Sequence, residues 1–168
     1  IMELYKQHPS LNFHNVAETM KTYKKTSVVN LLTKEKIEKA RIDAQQLIKE
    51  HEENKIKLIP ISSASYPPYL RLIDDPPKIL YAKGNITLLK EEDTLAIIGT
   101  RKPTRIGLKA AEKIAKTFAQ AGYTIVSGLA LGIDTAGHMG ALKTKNGKTI
   151  AVLAGNVRDI YPAKNKGL

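Results

Sequence analysis

The segment LAIIGTRKPTRIG (Leu95–Gly107) and the later segment TIVSGLALGIDTAGHMGAL (Thr124–Leu142) decide the fold of this chain. Each segment starts with an apolar run typical of a β-strand, passes through glycine and small hydroxyl residues, and then takes on the pattern of a helix. Such a junction directs the free backbone N–H groups of a helix N-terminus toward an anion. The two junctions therefore predict a phosphate-binding face.

Strand and helix patterns alternate regularly beyond residue 94. We expect strands at 95–98, 123–126 and 149–153 and helices at 105–121 and 133–143, with Gly122 ending the first helix. The β-α-β-α-β order predicts a parallel sheet with right-handed helical crossovers and with ligands at the carboxyl ends of its strands. The predicted apolar stripe of the first helix is Ala111, Ile114, Ala115, Phe118 and Ala119.

The sequence before residue 94 shows other patterns, first helical and then of short strands and turns. Thr33 is placed to cap a helix that runs to about Asn54, and a shorter helix is expected at 16–25, which gives a small and incomplete helical domain at 1–55. The second domain, 56–168, begins with strands at 57–61 and 79–83, joined by proline-rich turns. The predicted apolar stripe of the long helix is Ile37, Ala40, Ala44, Leu47 and Ile48.

Composition excludes several classes of function. The 168 residues are 42% apolar, enough for one domain with a core and a smaller appendage, and the absence of cysteine excludes disulfides and thiolate chemistry. The four histidines are too scattered to suggest a metal set, and we expect no cofactor. No apolar stretch approaches a membrane span and no leader is recognisable, so we expect a soluble, cytoplasmic protein without a membrane partner.

The positive charge of the chain is unevenly distributed. Of the formal net charge of +11, residues 94–168 contribute +9, from 12 basic and 3 acidic side chains. Lysine-rich helix faces that keep a protein in solution would give the same excess. Because the excess coincides with the two junctions, it favours a polyanionic ligand.

The junctions lack the marks of the common nucleotide-binding enzymes. The first turn reads GTRKPTRIG instead of G-x-G-x-x-G, and the second strand ends in Ser127 and Gly128 instead of an acidic residue. There is no P-loop sequence G-x-x-x-x-G-K-[ST] either. These absences weigh against a dinucleotide enzyme and against a nucleoside triphosphatase.

The first junction instead offers groups that bind phosphate. Arg101 carries a planar fork of donors, Thr100 and Thr104 carry hydroxyls, and Gly99 and Gly128 leave room for a close backbone approach. Thr104 alternatively caps the following helix, and Arg101 alternatively forms a structural ion pair. Lys102 and Arg105 lie in the same stretch of sequence.

Asp134 and His138 stand four residues apart on one helix face. They could form a catalytic base and the group that orients it, but no hydroxyl nucleophile is identifiable beside them. The alternative is structural: Asp134 accepts hydrogen bonds from the N–H groups of the turn, and His138 makes a local hydrogen bond. We favour the structural role for both.

A series of short blocks runs through the chain from residue 66 to residue 165. The blocks are YPPYL at Tyr66, DPP at Asp75, LYAKGN at Leu80, AIIGTR at Ala96, VSGLALGIDTAGHMGAL at Val126, TIAVLAG at Thr149 and IYPAKN at Ile160. In their order and spacing these blocks resemble the DNA-processing protein A (DprA/Smf) family, and the combination makes the resemblance specific.

This resemblance implies an extended Rossmann-like domain preceded by a sterile-alpha-motif-like domain. It also implies a protein that is not an enzyme, binds single-stranded DNA and helps to load the RecA recombinase during natural transformation. Its phosphate pocket would comprise Gly99, Thr100 and Arg101 of the first turn, with Ser127 and Gly128 of the second.

The chain departs from the family pattern in three places. Ile106 replaces the usual aromatic residue, and Asn156, Val157 and Arg158 replace the usual glycine and aspartate pattern. The family's Rossmann domain also continues beyond Leu168, so we expect a domain truncated on its C-terminal side and a homodimer only in an intact protein.

Two other functions remain open at this stage. A nucleoside-monophosphate phosphoribohydrolase would need a glutamate shortly after a glycine-rich phosphate turn, and Glu112, well inside the following helix, is the candidate. A pure protein-interaction scaffold would not depend on Arg101 for any binding to nucleic acid.

Overall fold

A computed structural model of the chain describes residues 33–168. The chain divides into two compact units, Ile1–Glu50 and His51–Leu168, and the division falls within helix α1 (Lys34–Glu53). The helix predicted at residues 16–25 lies outside the described residues. The domain boundary near residue 55 and the sterile-alpha-motif-like character of the first part stay predictions.

Helix α1 begins where the sequence predicts. The Thr33 hydroxyl accepts a hydrogen bond from the backbone N–H of Lys36 at 3.3 Å, which confirms the predicted cap. The helix ends at Glu53, one residue before the predicted Asn54. Of its predicted apolar stripe, Ile37 is half-buried and the other four side chains are exposed.

The second unit begins with an antiparallel hairpin. Strand β1 (Ile56–Pro60) pairs with strand β2 (Ile79–Lys83), with Ile56 opposite Lys83. The connection contains a 3₁₀ turn at Tyr69–Leu72 and is anchored by buried Tyr66, whose hydroxyl donates to the carbonyl of Pro77 at 2.8 Å. The proline-rich connection therefore has the structural role that its composition indicates.

A three-stranded parallel sheet forms the centre of this unit. Its strands β3 (Thr94–Ala96), β4 (Thr124–Ser127) and β5 (Lys148–Ala151) lie in the order β3-β4-β5. Helix α2 (Arg105–Gln120) connects β3 to β4, and helix α3 (Ile133–Leu142) connects β4 to β5. The predicted α/β fold with a Rossmann-like parallel sheet is confirmed.

Two strands end two residues earlier than predicted, at Ala96 and Ala151. Beyond Ala96, the carbonyl of Ile97 accepts a hydrogen bond from the Ser127 side chain instead of from a backbone N–H of β4. Beyond Ala151, Val152 still donates to Ser127, but Ser127 is the last residue of β4, so Leu153 has no strand residue opposite. In both places the ladder stops where β4 passes into its glycine turn.

Small side chains let α2 and α3 approach closely. Ala111, Ala115 and Ala119 of α2 are buried at i, i+4 spacing, but Ile114 and Phe118 are 48% and 37% exposed, so the predicted stripe is wrong at these two residues. The buried face of α2 is narrower than predicted because alanine and glycine make the helix contact. The core is formed by Ile97, Ala111, Ala115, Ala119, Ile125, Ala136 and Ala141.

Gly140→Ala tests this close approach. A β-carbon at position 140 would clash with the Glu112 carbonyl and with the Ala115 side chain, so the helices would have to separate. We expect the free energy of unfolding to fall by about 1–3 kcal/mol, although alanine is the better helix former by about 1 kcal/mol. Urea unfolding measures the change.

Gly155→Ala is the matched control, because a β-carbon at position 155 meets no atom within 4 Å. Equal unfolding midpoints for the two variants would contradict the packing described for α2 and α3.

Candidate nucleic-acid interface

Two loops meet at the carboxyl edge of the parallel sheet. We call residues 97–104, between β3 and α2, the first junction, and residues 128–132, between β4 and α3, the second junction. The N–H of Ile133 donates to the carbonyl of Thr100 at 3.2 Å, and a β-carbon on Gly132 would clash with the same carbonyl. The structure therefore brings the two predicted junctions together.

The second junction is closed by a carboxylate of the protein. Buried Asp134 accepts hydrogen bonds at Oδ2 from the backbone N–H groups of Gly128, at 3.1 Å, and Ala130, at 3.4 Å. This confirms the structural role predicted for Asp134. An internal anion thus takes two of the donors that the sequence pattern offered to an external one.

The carbonyl groups of the second junction are also engaged. Asn165 Nδ2 lies 2.9 Å from the Leu129 carbonyl and 2.8 Å from the Thr135 hydroxyl, and this hydroxyl donates to the Ala130 carbonyl at 2.7 Å. Leu129 has a φ of 58°, which the surrounding hydrogen bonds hold in place. Neither Thr135 nor Asn165 is among the site residues predicted from the sequence, although both lie in blocks of the family resemblance.

Ser127 and the two turn glycines are used inside the protein. The Ser127 side chain is 3% exposed, and its hydroxyl donates to the Ile97 carbonyl at 2.6 Å. A β-carbon on Gly99 would meet the Ile133 side chain, and one on Gly128 would meet the Asp134 carboxylate. The room expected at Gly99 and Gly128 for a ligand is therefore filled by α3, because each glycine admits a side chain of that helix.

His138 joins α3 to the sheet. Its ring is 1% exposed, with Nδ1 2.7 Å from the Thr149 hydroxyl, which itself donates to the Ile125 carbonyl at 2.8 Å. Nδ1 must therefore donate to Thr149, which leaves Nε2 as an acceptor without a partner among the described residues. The predicted local hydrogen bond is wrong, because the partner lies on β5.

Burial keeps this ring neutral. Desolvation lowers the pKa of His138 below its ordinary value of 6.5, and the nearby Asp134 carboxylate opposes the shift in part. A neutral ring suits the single hydrogen bond that His138 makes to Thr149. The geometry thus gives His138 a structural role as well.

The first junction, in contrast, presents its polar groups to solvent. Thr100, Arg101 and Lys102 are exposed, and none of the ion pairs among the described residues includes a cation of this loop. The Thr100 hydroxyl accepts from the N–H of Lys102 at 3.1 Å, which fixes the shape of the turn. The predicted phosphate contacts of the first junction are therefore available to a ligand.

Thr104 and Arg105 complete this surface. The Thr104 hydroxyl accepts from the N–H of Gly107 at 3.1 Å, so the alternative role predicted for Thr104, the cap of α2, is confirmed. Arg105, the first residue of α2, is exposed beside it. Within the described residues, the N–H groups of Gly99, Thr100 and Arg101 donate no hydrogen bond, which leaves backbone donors next to the cations.

Acidic groups do little to offset these cations. After residue 93, Glu112 is paired with Lys143 at 2.6 Å and Asp134 is buried, which leaves Asp159 as the remaining carboxylate. Over residues 33–168 no group of three or more potential metal ligands is found, and no helix there is long and apolar enough to cross a bilayer. The exposed groups of the first junction, which are arginine, lysine and backbone N–H donors, are suited to bind anions.

Comparison with known proteins identifies the family. Residues 57–168 match the family described as DNA recombination-mediator protein A. The DNA processing protein DprA of Bacillus subtilis is 36% identical over 165 residues, which cover 98% of this chain and 54% of that protein. The chain belongs to the DprA family. It spans about half the length of this relative.

Two solved DprA structures resemble the chain. The X-ray structure of DprA from Streptococcus pneumoniae superimposes with a TM-score of 0.72 and 33% identity, covering 99% of this chain and 55% of that one. The DprA of Helicobacter pylori, whose structure is described for its single-stranded DNA binding mode, gives a TM-score of 0.56 and 35% identity over 65% of this chain and 48% of its own. The resemblance to the DprA family read from the sequence is confirmed.

Asp134→Ala tests whether the second junction depends on its internal carboxylate. The substitution leaves two N–H groups of the turn without their acceptor, so we expect the free energy of unfolding to fall by about 1–3 kcal/mol. Urea unfolding measures the loss. Asp159→Ala, which removes an exposed carboxylate, serves as the control. Equal stability of the two variants would contradict the role given to Asp134.

Proposed function

We propose that the first junction binds the phosphates of single-stranded DNA and that the chain thereby contributes to DNA processing in natural transformation. The observation that carries the proposal is the exposed Arg101, which has no acidic partner among residues 33–168 and stands next to backbone N–H groups that have no acceptor there. An arginine fork and free amides are the donors that recognise a phosphodiester. Lys102 and Arg105 supply further positive charge.

In this proposal the two junctions have different roles. Thr100, Arg101, Lys102, Arg105 and the backbone N–H of Gly99 contact the phosphates, while Thr104, Ser127 and Gly128 shape the surface from behind. The Thr100 carbonyl, held by the N–H of Ile133, fixes the first junction against the second. The internally closed second junction is the rigid support of the open first junction.

The binding is independent of base sequence. Arg101 and Lys102 recognise phosphates, which carry no base information, and the net charge of +9 over residues 94–168 adds a general attraction for polyanions. The Helicobacter pylori relative is described as binding single-stranded DNA, which supports a single strand as the ligand. The affinity should fall as salt rises, because counterions are released on binding.

Membership of the family supports a wider role in the proposal. As a relative of recombination mediators, the chain would hold a single strand while RecA is loaded onto it, in the cytoplasm and as part of a homodimer. This role is one of binding, without catalysis. For the alternative hydrolase, Glu112 would have to act near a phosphate turn, but it lies two turns into α2 and pairs with Lys143.

Arg101→Ala is the direct test of this function. Removal of one charge-assisted phosphate contact is worth about 1.5–3 kcal/mol, so the dissociation constant for a labelled oligothymidylate should rise by about 10- to 100-fold. Fluorescence anisotropy at low salt measures it. Arg41→Ala removes the same type of exposed side chain from α1 and should bind like the wild type. Equal affinities of the two variants would refute the proposal and favour a pure protein scaffold.

A further inference from the structure

All basic residues of α2 lie on one face of the helix. They recur at intervals of four, four and three residues, which places them within about 80° of the helix circumference. All four are exposed. We call this face the α2 basic stripe, and it consists of Arg105, Lys109, Lys113 and Lys116.

The composition of the stripe differs from that of an ordinary solvated helix face. Helix α1 of the same chain carries 5 lysine and arginine residues among 6 acidic ones, whereas α2 carries 4 basic residues and the single acid Glu112. Glu112 already pairs with Lys143 of α3. The stripe is therefore uncompensated by acids of its own helix, and none of the ion pairs among the described residues includes its cations.

The positions of the charges on α2 destabilise this helix when no ligand is bound. Arg105 occupies the first turn, where the helix dipole favours an acid, and the last turn contains no basic residue. Neighbouring cations at i, i+4 also repel one another. A bound polyanion would relieve both costs.

The stripe continues the surface of the first junction. Arg105, the first residue of α2, directly follows the first junction, and Lys116 lies 11 residues further along the helix, a rise of about 16 Å. This length is enough for several successive phosphates of one strand, since stacked nucleotides repeat about every 3.4 Å. The cations of α2 thus prolong the line of charge that Arg101 and Lys102 begin.

We propose that the α2 basic stripe is a second phosphate-binding site, which guides the same DNA strand away from the first junction along α2. The inference rests on the proposed function of that junction and adds a direction to the bound strand. The contacts are made by lysine side chains to phosphates, so the site is tolerant of base sequence and sensitive to salt.

The test removes three charges from the stripe. The variant Lys109→Gln, Lys113→Gln, Lys116→Gln keeps good helix formers at each position, so we expect α2 to remain folded. The matched control, Lys57→Gln, Lys78→Gln, Lys90→Gln, removes three exposed lysines from the hairpin and from the segment before β3. Both variants have the same net charge, so a difference in their affinity for DNA reflects where the removed lysines lie.

The readout is the affinity for a labelled oligothymidylate of about 20 nucleotides at about 50 mM and about 200 mM salt. For a single strand, each phosphate contact adds about 0.7 to the steepness with which the logarithm of the affinity falls with the logarithm of the salt concentration. Over a fourfold rise in salt, three such contacts therefore cause a loss of affinity of about 20-fold. We expect the loss between the two salt concentrations to be about 20-fold smaller for the stripe variant than for the control. Circular dichroism confirms that both variants are folded.

If the two triple variants lose affinity by the same factor between the two salt concentrations, the α2 basic stripe is not a phosphate-binding site. If Arg101→Ala still weakens binding in that case, the first junction stands and this inference alone fails. If Arg101→Ala binds like the wild type, the proposed function itself fails, whatever the triple variants show.

Discussion

The Asp134 carboxylate and the two backbone N–H groups that it accepts, those of Gly128 and Ala130, hold the carboxyl edge of the sheet together. A tight turn after a buried strand leaves several N–H groups without partners, and leaving such groups unpaired when buried is costly. Asp134 satisfies two of them from the first turn of α3, where the helix dipole also favours its charge. The turn is thereby fixed before any ligand arrives.

The glycines around this turn follow from the same constraint. Gly128 makes room for the carboxylate, Gly132 lets the second junction lie against the Thr100 carbonyl, and Gly140 lets α3 approach α2. Asn165 and Thr135 then hold the carbonyl side of the turn. The long block VSGLALGIDTAGHMGAL is thus a framework against which the first junction is held.

Much of this fold could be predicted because local signals and packing agree. The strands of the sheet carry apolar runs, Thr104 caps α2, and Gly122, with a φ of 97°, ends the turn after that helix. Ile114 and Phe118 were misplaced because helical periodicity alone does not reveal that alanines and a glycine form the close contact between α2 and α3. Phe118 instead packs edge to face on Tyr123, with the ring centroids 5.3 Å apart.

The sequence is enough to predict which cations belong to the candidate site. It is not enough to predict which groups of the turns face a ligand. Exposed arginine and lysine beside a glycine turn are visible in the sequence, and so is the scarcity of acids around them. Whether a serine or a turn N–H faces a ligand or a neighbouring strand depends on tertiary contacts, such as the hydrogen bond from Ser127 to Ile97 across the sheet. Asn165 was missed for the same reason, since its partners lie 30 to 36 positions earlier in the chain.

One difference between the two junctions underlies the proposed site: the N–H groups of Gly99, Thr100 and Arg101 have no acceptor among residues 33–168, whereas those of Gly128 and Ala130 are held by Asp134. Amide NMR spectra of the labelled chain, recorded during titration with a short oligothymidylate, test it most directly. We predict that the chemical shifts of the Gly99, Thr100 and Arg101 N–H groups change as oligothymidylate is added and reach a plateau, while those of Gly128 and Ala130 stay unchanged. Shifts confined to Gly128 and Ala130 would contradict it.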